Sequence, residues 1–147
     1  MGTSTSDEQQ IANLLYRYAE LVDAADFDGV GELFARGSYG LPKATVDGGA
    51  PLAGLMRRSV LLHDGKICTK HLTTNLLIET AGDRTSATCR SYFCVMQATP
   101  TLPLQPIITG HYHDRFGRDD DGWFFTERHV FIDQTGNISE HLRRSPT

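Results

Sequence analysis

The sequence lacks the features that mark several large classes of protein. No apolar run approaches the roughly 20 residues of a transmembrane helix, so no membrane partner is expected. Basic residues are in the minority, with 14 Lys and Arg against 18 Asp and Glu, and the net charge of −4 argues against a nucleic-acid surface. Three cysteines without a C-x-x-C pair predict a reduced, cytoplasmic compartment rather than a disulfide framework.

Short catalytic and targeting motifs are also missing. There is no P-loop, no G-x-G-x-x-G after a predicted strand, no G-x-S-x-G nucleophile elbow and no zinc-finger spacing. The first eight residues are polar and acidic, so we expect no secretory signal. Met1-Gly2 with Ser6 matches only a bare myristoylation pattern, and no basic patch follows it.

The first half of the chain is predicted to be helical. Ser6 followed by Gln9 is a capping-box pattern, and apolar residues then recur at helical spacing. Asp26 can cap a second, short helix that Gly37 ends, and Pro51 suits the first turn of a third. The predicted helices cover about 7–25, 26–36 and 51–64, with a short strand and a loop over 38–50.

From residue 69 onward the pattern changes to that of strands. Segments rich in Thr, Val, Ile, Phe and Tyr alternate with short turn signals, which predicts antiparallel pairing. The predicted strands cover 69–80, 84–98, 105–117 and 122–133. Three helices before a long meander indicate a single α+β domain, in which a curved sheet encloses a cone-shaped cavity against the helices. The polar tail, 134–147, is expected to be loose or to lie on a partner subunit.

Asp23 and His71 are the first candidates for chemistry. A carboxylate near the C-terminal end of a helix faces the negative end of the macrodipole, which costs up to about 1 kcal/mol. Asp23 therefore either points to solvent or caps the next segment of the chain, or it is partly buried and orients a histidine. His71, on a predicted strand, is either a core or surface histidine or a general base, whose tautomer an Asp would fix.

Tyr18 and Arg128 also lie on apolar faces. Tyr18, on the inner face of the first helix, is most simply a core aromatic, but its hydroxyl could bind a substrate oxygen. Arg128 shares a strand face with Val130 and Ile132, which either a salt bridge to Asp or Glu or an anion or carbonyl ligand would explain.

Alternation along residues 110–114 separates two kinds of side chain. Tyr112 shares a face with Ile108 and Phe116, whereas His111 and His113 share the other. Two histidines on one face, with no third ligand at a diagnostic spacing, do not predict a metal site.

Four segments in this order resemble a SnoaL-like member of the nuclear transport factor 2-like superfamily. They are 11–26 with Phe34, then 71–75, 110–114 and 123–128. The resemblance covers nearly the whole chain, and the similar branch includes scytalone dehydratase, bile-acid 7-alpha-dehydratase and a hexachlorocyclohexane dehydrochlorinase. It implies a cone-shaped α+β barrel with three N-terminal helices packed on a curved, mainly antiparallel sheet, over residues 1–147 with a folded core of about 7–133.

The resemblance also implies a site. Those relatives eliminate water or HCl without a cofactor or metal, through a His–Asp pair that maps onto His71 and Asp23. The bile-acid enzyme's tyrosine maps onto Tyr18, and the dehydrochlorinase's arginine on the last strand maps onto Arg128. The candidate substrate-binding residues are Tyr112, His111 and Asn75.

The expected function is that of a cofactor-independent lyase. A dehydratase acting on a small hydrophobic cyclic or polyketide-like substrate is the leading interpretation. An isomerase or polyketide cyclase with the same base is an alternative. A non-catalytic binding or assembly subunit, like the small subunit of a ring-hydroxylating dioxygenase, is another. The resemblance further implies a homo-oligomer, either a trimer or a dimer.

Overall fold

A computed structural model describes residues 4–147, so the Met1-Gly2 pattern lies outside the described residues. Three helices precede most of the sheet, as the sequence predicts. The helices are α1 (Asp7–Asp23), α2 (Phe27–Leu33) and α3 (Gly49–Ser59). The strands are β1 (Ser38–Leu41), β2 (Ala44–Asp47), β3 (Thr69–Thr80), β4 (Ser86–Thr99), β5 (Leu102–Asp119) and β6 (Gly122–Thr135). No helix in this part of the chain is both long and apolar enough to cross a membrane.

Helix α1 begins at its predicted cap. The Ser6 hydroxyl accepts a hydrogen bond from the backbone N–H of Gln9 at 3.1 Å. The helix ends at Asp23, two residues before the predicted boundary, because Ala25 adopts the left-handed region with a φ of 55°. Its buried stripe places four side chains against the sheet at helical spacing: Ile11, Leu15, Tyr18 and Val22.

Helix α3 is shorter than predicted. It ends at Ser59 because Val60 turns to an extended conformation and forms an isolated antiparallel bridge with Leu142. Its start depends on a close approach to α2. A Cβ on Gly49 would lie 2.2 Å from the carbonyl oxygen of Gly31, so only glycine allows the two helices to pack this tightly.

The sheet is curved but open. Its strand order is β2-β1-β6-β5-β4-β3, and every neighbouring pair is antiparallel except β1 with β6. Register shifts interrupt three of the strand pairs, and such bulges bend and twist a sheet. The edge strands β2 and β3 do not pair with each other, so the predicted barrel is a half-open cone in which the helices cover the inner face.

The C-terminal tail packs within the fold, and the prediction that it is loose is wrong. The backbone N–H of Leu61 donates to the carbonyl of His141 at 2.8 Å, and that of Arg143 donates to the carbonyl of Ser59 at 3.0 Å. The tail therefore pairs with the segment that follows α3 and forms one wall of the cone.

Candidate active site

A cavity of about 620 Å³ lies between α1, α3, the inner face of the sheet and the C-terminal tail. This volume falls in the range of small-molecule sites, roughly 300–1,000 Å³. The wall is mainly apolar and includes Val22, Leu52, Met56, Val95, Ile108 and Val130. The polar side chains that line it include five with aromatic or imidazole rings: Tyr18, Tyr39, His71, Tyr112 and His141.

His71 lies in this wall, and Asp23 is bonded to it without lining the cavity itself. The distance from Asp23 Oδ1 to His71 Nδ1 is 2.6 Å. The other carboxylate oxygen accepts the backbone N–H of His71 at 2.9 Å, and Oδ1 also accepts the Thr69 hydroxyl at 2.8 Å. Both side chains are largely buried, with 13% of Asp23 and 9% of His71 exposed. These donors compensate for the unfavourable position of the carboxylate at the helix C-terminus.

The ionised state of Asp23 sets the tautomer of His71. Burial raises the pKa of Asp23, but hydrogen bonds and charge attraction from His71, with the Thr69 hydrogen bond, outweigh it and leave that pKa below its ordinary value. An ionised carboxylate only accepts hydrogen bonds, so His71 Nδ1 must carry a proton. In the neutral ring, Nε2 is then left as a lone-pair acceptor.

Two tyrosine hydroxyls meet at the cavity wall. Tyr18 and Tyr39 are both buried, and their oxygens are 2.6 Å apart. Burial raises the pKa of Tyr18 and, more strongly, that of Tyr39, so both phenols keep their protons at neutral pH. Each hydroxyl can donate once, and their mutual bond uses one proton. The pair therefore retains one O–H for a ligand.

Arg128 lies behind these rings and not at the cavity surface. Its side chain is fully buried and holds Asp114 through two bonds of 2.8 Å, from Nε and Nη2. Burial lowers the pKa of Arg128, but Asp114 offsets this and raises it above its ordinary value. The guanidinium carbon lies 3.7 Å from the ring centre of Tyr112 and 4.4 Å from that of Tyr18. Of the two interpretations of Arg128, the structure shows the salt bridge. The prediction that Arg128 contacts a substrate directly is wrong, because its side chain does not line the cavity.

Tyr112 lines the cavity on the same face as Arg128. It is 3% exposed and its ring stacks on Phe93 with centroids 4.4 Å apart. Burial raises the pKa of Tyr112 well above its ordinary value, so its hydroxyl is also a neutral donor.

His111 and Asn75 do not reach the cavity, so the prediction that they bind the substrate there is wrong. His111 is on the outer face, where Nδ1 bonds Asp133 Oδ2 at 2.8 Å. Asn75 is exposed at the register shift between Thr74 and Leu77, with a φ of 56°. Within residues 4–147 no group of three or more His, Cys, Asp or Glu could hold a metal ion.

His141 completes the polar lining and was not predicted. It is 5% exposed, and its ring centre is 6.3 Å from that of His71. Its Nδ1 has no protein partner within the described chain. The polar sequence around it carries no periodicity, so the only available signal was the presence of a sixth histidine in the tail.

His141 is expected to make folding stability sensitive to mild acid. Burial, followed by the nearby His71, lowers the pKa of His141 to about 4. The unfolded state binds its proton near the ordinary value of about 6.5, so stability is complete above that pH and falls toward pH 4. The loss is about 3 kcal/mol at most, since each pH unit corresponds to about 1.4 kcal/mol.

Urea unfolding between pH 7.5 and 4 measures this effect. His141→Phe is expected to flatten the profile, whereas His113→Phe, on the exposed outer face, leaves it unchanged. A wild-type profile that is already flat over this range, or one that His141→Phe does not alter, contradicts the assignment.

Known proteins share both the domain and the architecture. The SnoaL-like domain model matches residues 3–129. No curated protein matches the chain. A protein of unknown function from Mycobacterium tuberculosis is 27% identical, with a TM-score of 0.72 over 87% of this chain and 77% of that one.

Two structures from Novosphingobium aromaticivorans are also similar in fold. One is an NTF2-like protein with a cystatin-like fold, 21% identical, with a TM-score of 0.73 over 90% of this chain and 85% of that one. The other is a candidate scytalone dehydratase, 18% identical, with a TM-score of 0.72 over 89% of this chain and 87% of that one. Because the SnoaL-like domain model matches most of this chain, the chain belongs to the SnoaL-like domain family.

Proposed function

We propose that this protein is a cofactor-independent dehydratase. It eliminates water, or another small leaving group, from a small hydrophobic cyclic or polyketide-like substrate. The observation that carries this proposal is the 2.6 Å bond from Asp23 to His71, whose ring lies in the wall of a mainly apolar cavity. Similarity in fold to a candidate scytalone dehydratase adds support at the level of architecture.

His71 supplies the base. Nε2 removes a proton from a carbon next to a carbonyl, and the electrons of the broken C–H bond form the new double bond as the C–O bond breaks. The imidazolium that forms is stabilised by the Asp23 carboxylate. The leaving hydroxyl takes up a proton and departs as water, with the proton returned by His71 Nε2.

The tyrosine pair supplies the electrophilic side. The O–H that Tyr18 and Tyr39 do not use on each other donates to the substrate carbonyl, where negative charge develops as the proton leaves. Arg128 acts here as a positioning residue, because its guanidinium fixes the rings of Tyr18 and Tyr112 from behind.

Removing one hydroxyl of the pair tests this role. Tyr18→Phe is expected to lower kcat about 10²-fold, which is typical of losing a donor to a developing oxyanion. Tyr39→Phe is expected to cost about tenfold, because Tyr18 keeps its O–H but loses its fixed orientation. Tyr16→Phe is the matched control, since Tyr16 is on the same helix and 43% exposed. A Tyr18→Phe enzyme within twofold of the wild type contradicts the role.

Product analysis separates dehydration from its closest alternative. An isomerase or polyketide cyclase could use the same base, but isomerisation conserves mass. Mass spectrometry of products from a panel of cyclic β-hydroxy ketones is expected to show the loss of one water. Products of unchanged mass, formed in a His71-dependent manner, would replace the dehydratase with an isomerase.

A binding or assembly subunit is the alternative from another class. In that case Asp23 and His71 would be structural, and the protein would copurify with a large catalytic subunit. A mainly apolar cavity, with His71 in its wall and in hydrogen-bond contact with Asp23, favours the enzyme. A homo-oligomer, dimer or trimer, remains the expectation from the family resemblance.

A further inference from the structure

Four basic side chains stand around the opening of the cavity. Lys43 is in the β1–β2 turn, Arg58 is near the end of α3, and Arg143 and Arg144 are in the C-terminal tail. All four are exposed, whereas the polar groups deeper in the wall are largely buried, so they mark the end that faces solvent. Within residues 4–147 none of the four forms an ion pair.

The charge of this opening is opposite to that of the protein. Acidic residues outnumber basic ones by 18 to 14 in the sequence, yet no described Asp or Glu lines the cavity. An ordinary exposed surface of a chain with this composition would carry both acidic and basic side chains. Arg58 also complements the dipole at the end of α3, but this reason does not extend to the three cations on the turn and the tail.

Arg57 shows the contrast within a single helix turn. It is adjacent to Arg58 and also exposed, but it pairs with Asp28 and does not line the cavity. Arg58 has no such partner and is among the residues that line the cavity. Within residues 4–147 seven Lys and Arg side chains form no ion pair, and four of them line this cavity; the other three are Lys66, Lys70 and Arg90.

We propose that the substrate is an amphipathic anion. Its apolar ring or chain enters the cavity, and a carboxylate or phosphate stays at the opening, where Lys43, Arg58, Arg143 and Arg144 hold it. Guanidinium groups match both anions through paired N–H donors, and clustered cations beside a low-dielectric wall attract an anion into the mouth. The proposal rests on the proposed function in taking this cavity as the substrate site.

Three probes of similar size test the anion preference directly. They are 2-naphthoate, 2-naphthyl phosphate and the neutral 2-acetylnaphthalene, titrated into the full chain by calorimetry at low and high salt. The test variant is K43Q/R58Q/R143Q/R144Q, and Arg57→Gln is the matched control. The pairs K43Q/R58Q and R143Q/R144Q keep the test available if the quadruple variant does not fold.

The wild type is expected to bind one or both anionic probes about tenfold more tightly than the neutral probe, and high salt weakens this preference. The quadruple variant is expected to lose this preference while its Kd for the neutral probe stays unchanged. In each double variant the preference for the anionic probe is expected to fall about threefold. Arg57→Gln is expected to behave as the wild type. Tighter binding of the carboxylate probe indicates a carboxylic-acid substrate, and tighter binding of the phosphate probe indicates a phosphorylated one. Equal binding of anionic and neutral probes, a preference that survives neutralisation, or no binding of any probe overturns the proposal.

This outcome is independent of turnover. His71→Ala is expected to keep the anion preference, because His71 is not among the four cations. If His71→Ala retains activity while the preference is present, the proposed reaction fails and the anion site stands. If the anion preference is absent while His71 is essential for turnover, the anion site fails and the proposed reaction stands.

Discussion

Replacing His71 with Ala is expected to lower kcat by about 10²–10⁴-fold on a substrate that the wild type dehydrates, which is the usual contribution of a positioned base. Folding is expected to survive, because β3 keeps its backbone pairing with β4. Added imidazole is expected to restore part of the activity by occupying the space that the ring leaves. Steady-state kinetics with and without imidazole measures both effects.

The control for this variant is His113→Ala. His113 lies on the outer face of the sheet and is exposed, so its loss should leave kcat unchanged. Full turnover by His71→Ala on an identified substrate would sink the assignment of His71 as the base.

The second large effect concerns stability rather than catalysis. Arg128→Met leaves the Asp114 carboxylate buried without its partner, and such a break typically costs about 3–5 kcal/mol. Replacing both residues, as in R128M/D114L, is expected to recover most of this loss, because the buried charges disappear together. Urea unfolding measures the free energies.

The neighbouring cross-strand pair is the matched control. Arg115 and Glu127 lie one position away on the same two strands, 3.5 Å apart, but their side chains are 71% and 44% exposed. Arg115→Ala is expected to cost less than about 1 kcal/mol. If Arg128→Met costs no more than Arg115→Ala, or if the double variant is as unstable as the single one, Arg128–Asp114 is not the buried ion pair of the fold.

The sequence contains much of the fold in its periodicity. The apolar positions of α1 and the alternation of the four long strands are imposed by burial, so helices and strands are predicted at the right places. Asp23 and His71 are candidates because each departs from its local pattern, one against a helix dipole and one on an apolar strand, and the family resemblance is what pairs them. Their contact confirms the geometry, whereas their catalytic role stays a prediction.

Local strand geometry explains two residues that were misplaced. His71, Thr73 and Asn75 would share one face under strict alternation, but the bulge after Thr74 turns Asn75 outward and brings Leu76 to the inner side. His111 is next to Tyr112, and neighbours on a strand face opposite sides. Only Tyr112 could enter the cavity.

Contacts between residues far apart in the sequence explain what the sequence did not predict: the partner of Arg128, the packing of the tail and the position of His141. The partner of Arg128 was not identified, although Asp114 sits between Tyr112 and Phe116 on a buried strand and carries the complementary charge. The tail was misjudged because it pairs through backbone groups, and polar composition does not reveal backbone pairing. His141 was missed together with the tail that carries it.

The central claim is that Asp23 and His71 act as one unit in proton abstraction. A double-mutant cycle in kcat/KM with D23N, H71N and D23N/H71N tests it most directly, on a substrate shown to lose water. The account predicts that each single variant loses at least about 10²-fold and that the double variant is little worse than H71N, because Asp23 works only through His71. Additive losses, or a D23N enzyme as active as the wild type, would contradict it.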